Sequence, residues 1–312
     1  MTKRIIKVGS RQSQLAMWQT KYVVEILKNK CPEYNFEIIP IKTKGDKILD
    51  VALAKIGDKG LFTKELEMAI LSGRIDFAVH SMKDLPTVIP EGLMIAAMTR
   101  RHDPRDALIS NKHRSFSELP QGAKIGTSSL RRKAQLLNKR PDLKLVDIRG
   151  NINTRLHKMD TENLDGIILA SAGVERLGWQ DKIAEKLDFS ICLPAVGQGS
   201  IGIEIRSDNE EIYQIVRLTN DLDTEASILA ERALLKSLEG GCQIPIGALA
   251  EIKDDKLSLQ ALVGSLNGEI IIRDSLTGDI KDSEKIGIEL ALKLKEKGAN
   301  KILQEIRQEI DI

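Results

Sequence analysis

Apolar positions along this chain fall into two alternating rhythms for its first two-thirds. The short runs IIKVGS (5–10), FEIIPIKT (36–43), IDFAVHS (75–81) and LMIAAM (93–98) predict strands. Between them LAMWQTKYVVEIL (15–27) sets Leu15, Trp18, Tyr22 and Ile26 at helical spacing behind a capping Ser13, and TKELEMAILSG (63–73) reads as a helix closed by Gly73. The rhythm then restarts. ALIS (107–110), AKIGTSS (123–129), LKLVDIRG (143–150) and DGIILAS (165–171) read as strands. LRRKAQLLNKR (130–140), NTRLHKM (153–159) and AGVERLG (172–178) read as the intervening helices. Strands alternating with helices predict two doubly wound α/β domains with parallel sheets, expected to face each other across a cleft.

The remainder changes character. DTEASILAERALLKSLEGG (223–241) reads as a helix with a Gly-Gly end. Three apolar runs over 248–276, with Asn267-Gly268 as a turn signal, predict an antiparallel meander. Two helices follow around Gly298. The expected division is an α/β domain of 1–99 with 200–217, a second of 100–199, and a smaller α+β domain of 218–312.

Composition narrows the function. The chain has 312 residues with 42% hydrophobic and 29% charged positions, enough for a good core. Aromatics make up 3%, which argues against a site of stacked rings or a single-strand nucleic-acid platform. The N-terminus has no apolar stretch suited to a signal peptide, and no run approaches a membrane span, so a cytoplasmic protein is expected. Charge is uneven. Residues 100–158 hold 15 Lys+Arg against 5 Asp+Glu, whereas 218–312 hold 12 against 18. The middle of the chain is suited to anions, either as a binding surface or as a solvated basic face.

Candidate chemistry gathers where strands hand over to helices. Arg11 follows the first strand. Thr127, Ser128, Ser129, Arg131 and Arg132 stand at a second junction, Arg149 and Arg155 at a third, and Arg176 one turn into a fourth helix. Guanidinium forks and helix N-terminal N–H groups both suit carboxylate or phosphate, although a single arginine more often pairs with a nearby acid. In HSMKDLP (80–86) Lys83 and Asp84 form either an ordinary turn ion pair or a proton-handling carboxylate beside a cation. The stretch LPAVGQGSIGIE (193–204) carries G-x-G-x-x-G without a clear following helix. A hinge is the better reading and a binding backbone the second. The four histidines and three cysteines show no metal-binding spacing, and no P-loop or nucleophile elbow occurs. Cys31, at a helix end before Pro32, reads as incidental, and Cys192, in the apolar stretch ICLPAV, as core. Cys242, in LEGGCQIPIG, is left open between structural residue, nucleophile, ligand and attachment point.

Taken together, SRQSQLA, GDKGLFTKELE, AVHSMKDLPT, RRHDPRDALI, GTSSLRRKAQL, DIRGNINTRL, LPAVGQG and LEGGCQIPIG resemble the porphobilinogen deaminase (hydroxymethylbilane synthase) family of tetrapyrrole biosynthesis, in family order. Gln14 departs from the proline many members carry. The resemblance implies two lobes like type 2 periplasmic binding proteins plus a third domain. It implies a transferase joining four porphobilinogen units, with loss of ammonia, on a dipyrromethane cofactor bound through a thioether to Cys242, then releasing hydroxymethylbilane by hydrolysis. By the same resemblance Ser81, Lys83, Asp84, Thr127, Ser129, Arg131, Arg132 and Arg155 hold the cofactor. Arg11, Arg149, Arg155 and Arg176 bind incoming rings, with Ser13, Gln19 and Phe62 assisting beside a loop containing Lys55, Asp58 and Lys59. Asp84 is the implied catalytic residue. A monomer is expected, with a small-molecule substrate and no nucleic-acid or membrane partner. The strongest rival, a non-catalytic binding module with two α/β lobes, leaves the third domain and its cysteine unexplained. The second, a nucleic-acid binder using the basic segment, would be told apart by salt-dependent DNA binding.

Overall fold

The computed structural model describes residues 3–47, 60–239 and 244–310. Along the chain run β1 (Ile5–Arg11), α1 (Gln14–Lys30), β2 (Asn35–Ile41), the one-turn α2 (Lys44–Lys47), α3 (Lys64–Leu71), β3 (Phe77–Ser81) and β4 (Leu93–Met98). Next come β5 (Asp106–Ile109), β6 (Lys124–Gly126), α4 (Leu130–Lys139), β7 (Lys144–Val146), α5 (Ile152–Thr161), β8 (Gly166–Ala170), α6 (Ser171–Arg176) and β9 (Ile183–Lys186). The chain ends with β10 (Ile201–Arg206), α7 (Glu210–Arg217), α8 (Leu222–Ser237), β11 (Ile246–Lys253), β12 (Lys256–Gly264), β13 (Ile271–Asp279), α9 (Ser283–Leu294) and α10 (Asn300–Ile310).

These elements divide into two compact units. Of the described residues, the first takes the chain through α2, residues 60–102, and Ser200–Glu225. Its sheet has the order β2-β1-β3-β10-β4. β1, β2 and β3 are parallel, and β10 runs antiparallel to both neighbours. The helical repeat of α1 turns Val23, Val24 and Leu27 onto Ile6, Val8, Phe77 and Val79, in a cluster that also takes Ile212 and Val216 of α7. A second cluster joins Leu66, Ala69 and Ile70 of α3 to Ile75 and Ala78. The sheet is therefore covered on both faces. Each fully buried Leu or Ile contributes about 1.5–3 kcal/mol, so these layers are a large part of what holds β1 and β3 in place.

The second unit comprises Asp103–Gly199 and the chain from Ala226 onward. Its larger sheet has the order β7-β6-β8-β5-β9. Again three strands are parallel and the fourth, β5, runs antiparallel to both neighbours. The two sheets thus share one strand order. Alternation of strands and helices predicts parallel sheets. Each sheet is mixed because its fourth strand enters directly after the chain crosses between units, at His102/Asp103 and Gly199/Ser200, instead of through a helical crossover.

The smaller sheet of this unit is the meander β11-β12-β13. Helices α8, α9 and α10 cover one face with Leu234, Leu290, Leu294 and Leu303 against Ala248, Leu257, Leu259 and Ala261. On the other face Leu249 and Leu262 meet Leu193. The turn after β12 lies against α4, where Gly268 (φ 75°) has no room for a side chain, since a Cβ would sit 2.6 Å from the Ala134 carbonyl oxygen. Between α9 and α10 the chain kinks at Gly298 (φ 105°). Among the described residues no helix is long and apolar enough to cross a membrane.

Candidate active site

In the first unit one pocket gathers six of the residues expected at the site. It is lined by Arg11, Ser13, Gln19, Phe62, Ser81 and Asp84, together with Thr63 and His80, and encloses about 400 Å³ with its open mouth included. Topology explains the convergence. β1 and β3 are adjacent parallel strands, so their C-terminal ends emerge side by side. β1 ends on Arg11. β3 ends on Ser81 and passes into a 3₁₀ turn, Met82–Asp84. That turn is pinned by buried Met82, whose N–H donates to the Ser200 carbonyl at 3.0 Å.

Several lining groups are fixed by partners. Ser13 caps α1, accepting from the Ala16 N–H at 3.3 Å. The Gln19 amide nitrogen donates to Ser81 Oγ at 3.0 Å, and its carbonyl oxygen lies 3.2 Å from the same hydroxyl. Arg11 is gripped by Asp46 (Nη2–Oδ1 2.6 Å) and lies 4.1 Å over the Phe62 ring, a cation–π arrangement. Burial pushes the Asp46 carboxyl up. The hydrogen bonds and charge of Arg11, aided by Thr43, outweigh this and hold it below the ordinary range. Lys83 precedes Asp84 on the same turn.

Beneath the pocket lies a polar group that sequence reading does not anticipate. His80 and Glu204 are both buried, with Nε2 3.1 Å from Oε2. Glu67 of α3 is buried on the same side. Its carboxyl is raised chiefly by burial, with the charge of Glu204 adding to the rise. The available signal is a charged residue in an apolar strand, Glu204 in IGIEIR.

The second unit holds the other expected residues. Thr127 and Ser129 precede α4, with the Ser129 N–H 3.3 Å from Thr127 Oγ1. Arg131 and Arg132, in the first turn, do not reach out to solvent. They converge on Asp106 of β5, each with a nitrogen 2.6 Å from one carboxylate oxygen. Arg131 also donates to the Leu193 carbonyl and Arg132 to that of Ile168. Burial opposes ionisation of Asp106, but the two guanidiniums hold its carboxyl far below the usual range. The neighbouring Cys192 thiol is pushed up to about 12 by burial and then by the Asp106 charge. It is a core residue, as its apolar surroundings suggest.

Arg155 on α5 donates Nε–H to the Gly150 carbonyl at 2.9 Å, and Asn151 caps that helix. Burial pushes the Arg149 guanidinium down, partly countered by Asp147. Arg176 at the end of α6 donates to the Gly199 carbonyl at 2.6 Å. Cys242, Lys55, Asp58 and Lys59 lie outside the described residues. Among the described residues no cluster of His, Cys, Asp and Glu is arranged to hold a metal.

Two family models match this chain. "Porphobilinogen deaminase, dipyromethane cofactor binding domain" covers residues 6–214, and "Porphobilinogen deaminase, C-terminal domain" covers 226–296. The chain belongs to the porphobilinogen deaminase family. Relatives named porphobilinogen deaminase match it end to end. The protein of Carboxydothermus hydrogenoformans is 60% identical over 99% of both chains. That of Desulforamulus reducens is 56% identical over 98% of this chain and 99% of its own, and that of a Nostoc species 52% over 99% and 96%. Among solved structures, a nutrient binding protein from Burkholderia cenocepacia bound to methionine aligns with 69% of this chain and 91% of its own, at 15% identity and a TM-score of 0.44. Together the two models span both α/β sheets and the α+β part as far as residue 296.

Proposed function

We propose that this chain is a cytoplasmic, monomeric transferase. It joins four porphobilinogen molecules head to tail, with loss of ammonia, on a dipyrromethane primer attached to Cys242, and releases hydroxymethylbilane by hydrolysis. Its partner is this small molecule, without nucleic acid or membrane. Full-length membership of the porphobilinogen deaminase family supports the reaction. The observation that carries the residue-level reading is the pocket in which Arg11, Ser13, Gln19, Phe62, Ser81 and Asp84 come together.

The residues present fit the cofactor. One carboxylate, Asp106, faces two guanidiniums, which leaves a surplus positive charge, and Arg132 Nε is buried without a hydrogen-bond partner. A group rich in carboxylates suits such a surplus. Ser81, Lys83, Asp84, Thr127, Ser129, Arg131, Arg132 and Arg155 are assigned to hold it. When bound, the dipyrromethane would supply a nucleophilic free α-carbon on its terminal pyrrole as the primer for chain growth. Asp84 accepts a hydrogen bond from the pyrrole N–H and stabilises the positive charge that develops on the ring. Arg11, Arg149, Arg155 and Arg176 take the acetate and propionate groups of incoming rings. Ser13 and Gln19 orient them, and Phe62 packs beside Arg11. The proposed domains are 1–99 with 200–217, 100–199, and 218–312, the last carrying the cofactor cysteine.

Intact-protein mass spectrometry with peptide mapping tests this reading. Added mass equal to two linked pyrrole units on the Cys242 peptide is expected. Active protein with unmodified Cys242 would defeat it.

A further inference from the structure

The glycine-rich loop after β9 is held at three consecutive residues, all within the second unit. The Gly197 N–H donates to Glu231 Oε2 at 2.7 Å. Gln198 Nε2 donates to the Pro104 carbonyl at 2.7 Å and to Asp106 Oδ1 at 2.9 Å. The Gly199 carbonyl accepts from Arg176 at 2.6 Å. Gly197 and Gly199 have φ of 72° and 95°, so the loop takes a conformation that a side chain would resist. It therefore touches Arg176 directly and Arg131 and Arg132 through Asp106.

Glu231 is the part of this arrangement that the transferase reading leaves without a role. It stands on α8 with no solvent exposure. Its second oxygen accepts the Ala250 N–H of β11 at 2.8 Å. A buried carboxylate is costly to keep, and hydrogen bonds to an ionised acceptor are about twice as strong as neutral ones. This one is used to tie a helix, a strand and the glycine loop together.

We infer that Glu231 is a positioning residue for substrate binding. By fixing the Gly197 amide it sets the Gly199 carbonyl, and that carbonyl sets the guanidinium of Arg176. The inference rests on the assignment of Arg176 to an acidic group of porphobilinogen. A role of this kind acts on binding that is uniform between ground and transition state, and so on KM more than kcat.

The test is a double-mutant cycle on the holoenzyme with Glu231→Gln and Arg176→Lys. Glu231→Gln keeps the shape but turns an amide N–H₂ toward one of the two backbone N–H groups. Alone it is expected to raise KM for porphobilinogen about tenfold, the size of one lost charge-assisted hydrogen bond. In the Arg176→Lys background, which lacks the fork that reads Gly199, it should raise KM no further. Independently of turnover, amide hydrogen exchange at 197–199 should accelerate in Glu231→Gln. If Glu231→Gln does not fold, Glu231→Asp, which keeps the charge and shortens the reach, replaces it. Equal KM effects in both backgrounds, or unchanged exchange at 197–199, would overturn this role alone. Wild-type protein without porphobilinogen turnover would overturn the transferase reading and this role with it.

Discussion

His80 Nε2 lies 3.1 Å from Glu204 Oε2, both buried, on the side of the sheet that also buries Glu67. Glu204 pairs with Ala78 across β10 and β3, so alternation along the strands puts it on the same face as His80. That face packs against Leu66, Ala69 and Ile70 of α3. Removing one member leaves the other buried without its partner. Glu204→Ala is expected to cost about 1–3 kcal/mol in urea unfolding, the range for leaving a buried polar group without its partner. Adding His80→Ala should cost much less than it does alone. Simple additivity of the two losses would show that the contact carries no coupling.

Asp84→Ala tests the proposed catalytic role. The 3₁₀ turn is anchored by Met82, and Asp84 only lines the pocket, so the fold should be retained. Turnover should fall by at least about 100-fold. Circular dichroism and porphobilinogen consumption check the two halves, and near-normal turnover would remove Asp84 from the mechanism.

Asp106 links acid stability to the Arg131–Arg132 cluster. Its carboxyl is depressed in the folded protein, so its contribution is fully present above the unfolded value of about 3.9 and is lost as pH falls below that. Asp103, depressed through Arg105 and Lys186 despite the opposing effect of burial, acts in the same direction. Asp106→Asn should cost about 3–5 kcal/mol near neutral pH. Urea midpoints measured from pH 3 to 7 should also show a shallower acid decline in this variant than in wild type. An unchanged acid limb would mean that other carboxylates govern it.

Thiol reactivity should separate the three cysteines. Cys192 is fully buried with its thiol near 12, and Cys31 is buried with its thiol also raised by burial. Neither should alkylate in the native state at pH 8, because the thiolate is the reactive form. In protein stripped of cofactor, iodoacetamide should label the Cys242 peptide alone. Comparable labelling of Cys192 would contradict its burial.

Much of the fold is legible from spacing. LMIAAM coincides with β4, and LRRKAQLLNKR with α4 to within a residue. Other runs are read too long. TSS after AKIG belongs to the loop before α4, since β6 ends at Gly126, and of LKLVDIRG only Lys144–Val146 is strand. β10 is the instructive miss. Ile201, Ile203 and Ile205 alternate as a strand should, but the overlapping glycine pattern draws attention to the loop instead. Junction arginines are visible as a group, and their grip on anions follows from residue type. Their partners are not visible. Asp46 meets Arg11, and Asp106 meets Arg131 and Arg132, across separations that only the folded chain closes.

The position of β10 bears on the order in which the protein can be made. It lies between β3 and β4, with Ile203 opposite both Val79 and Ala97. A ribosome therefore releases every strand of the second sheet before it releases the strand that completes the first. Strands β5 to β9 can pair as soon as they emerge, while β3 and β4 wait with open edges. Long-range pairing of this kind is slow and leaves strand edges exposed. During synthesis the N-terminal unit is thus the last of the two α/β sheets to close, and the interval before β10 arrives is when a nascent chain has most need of protection.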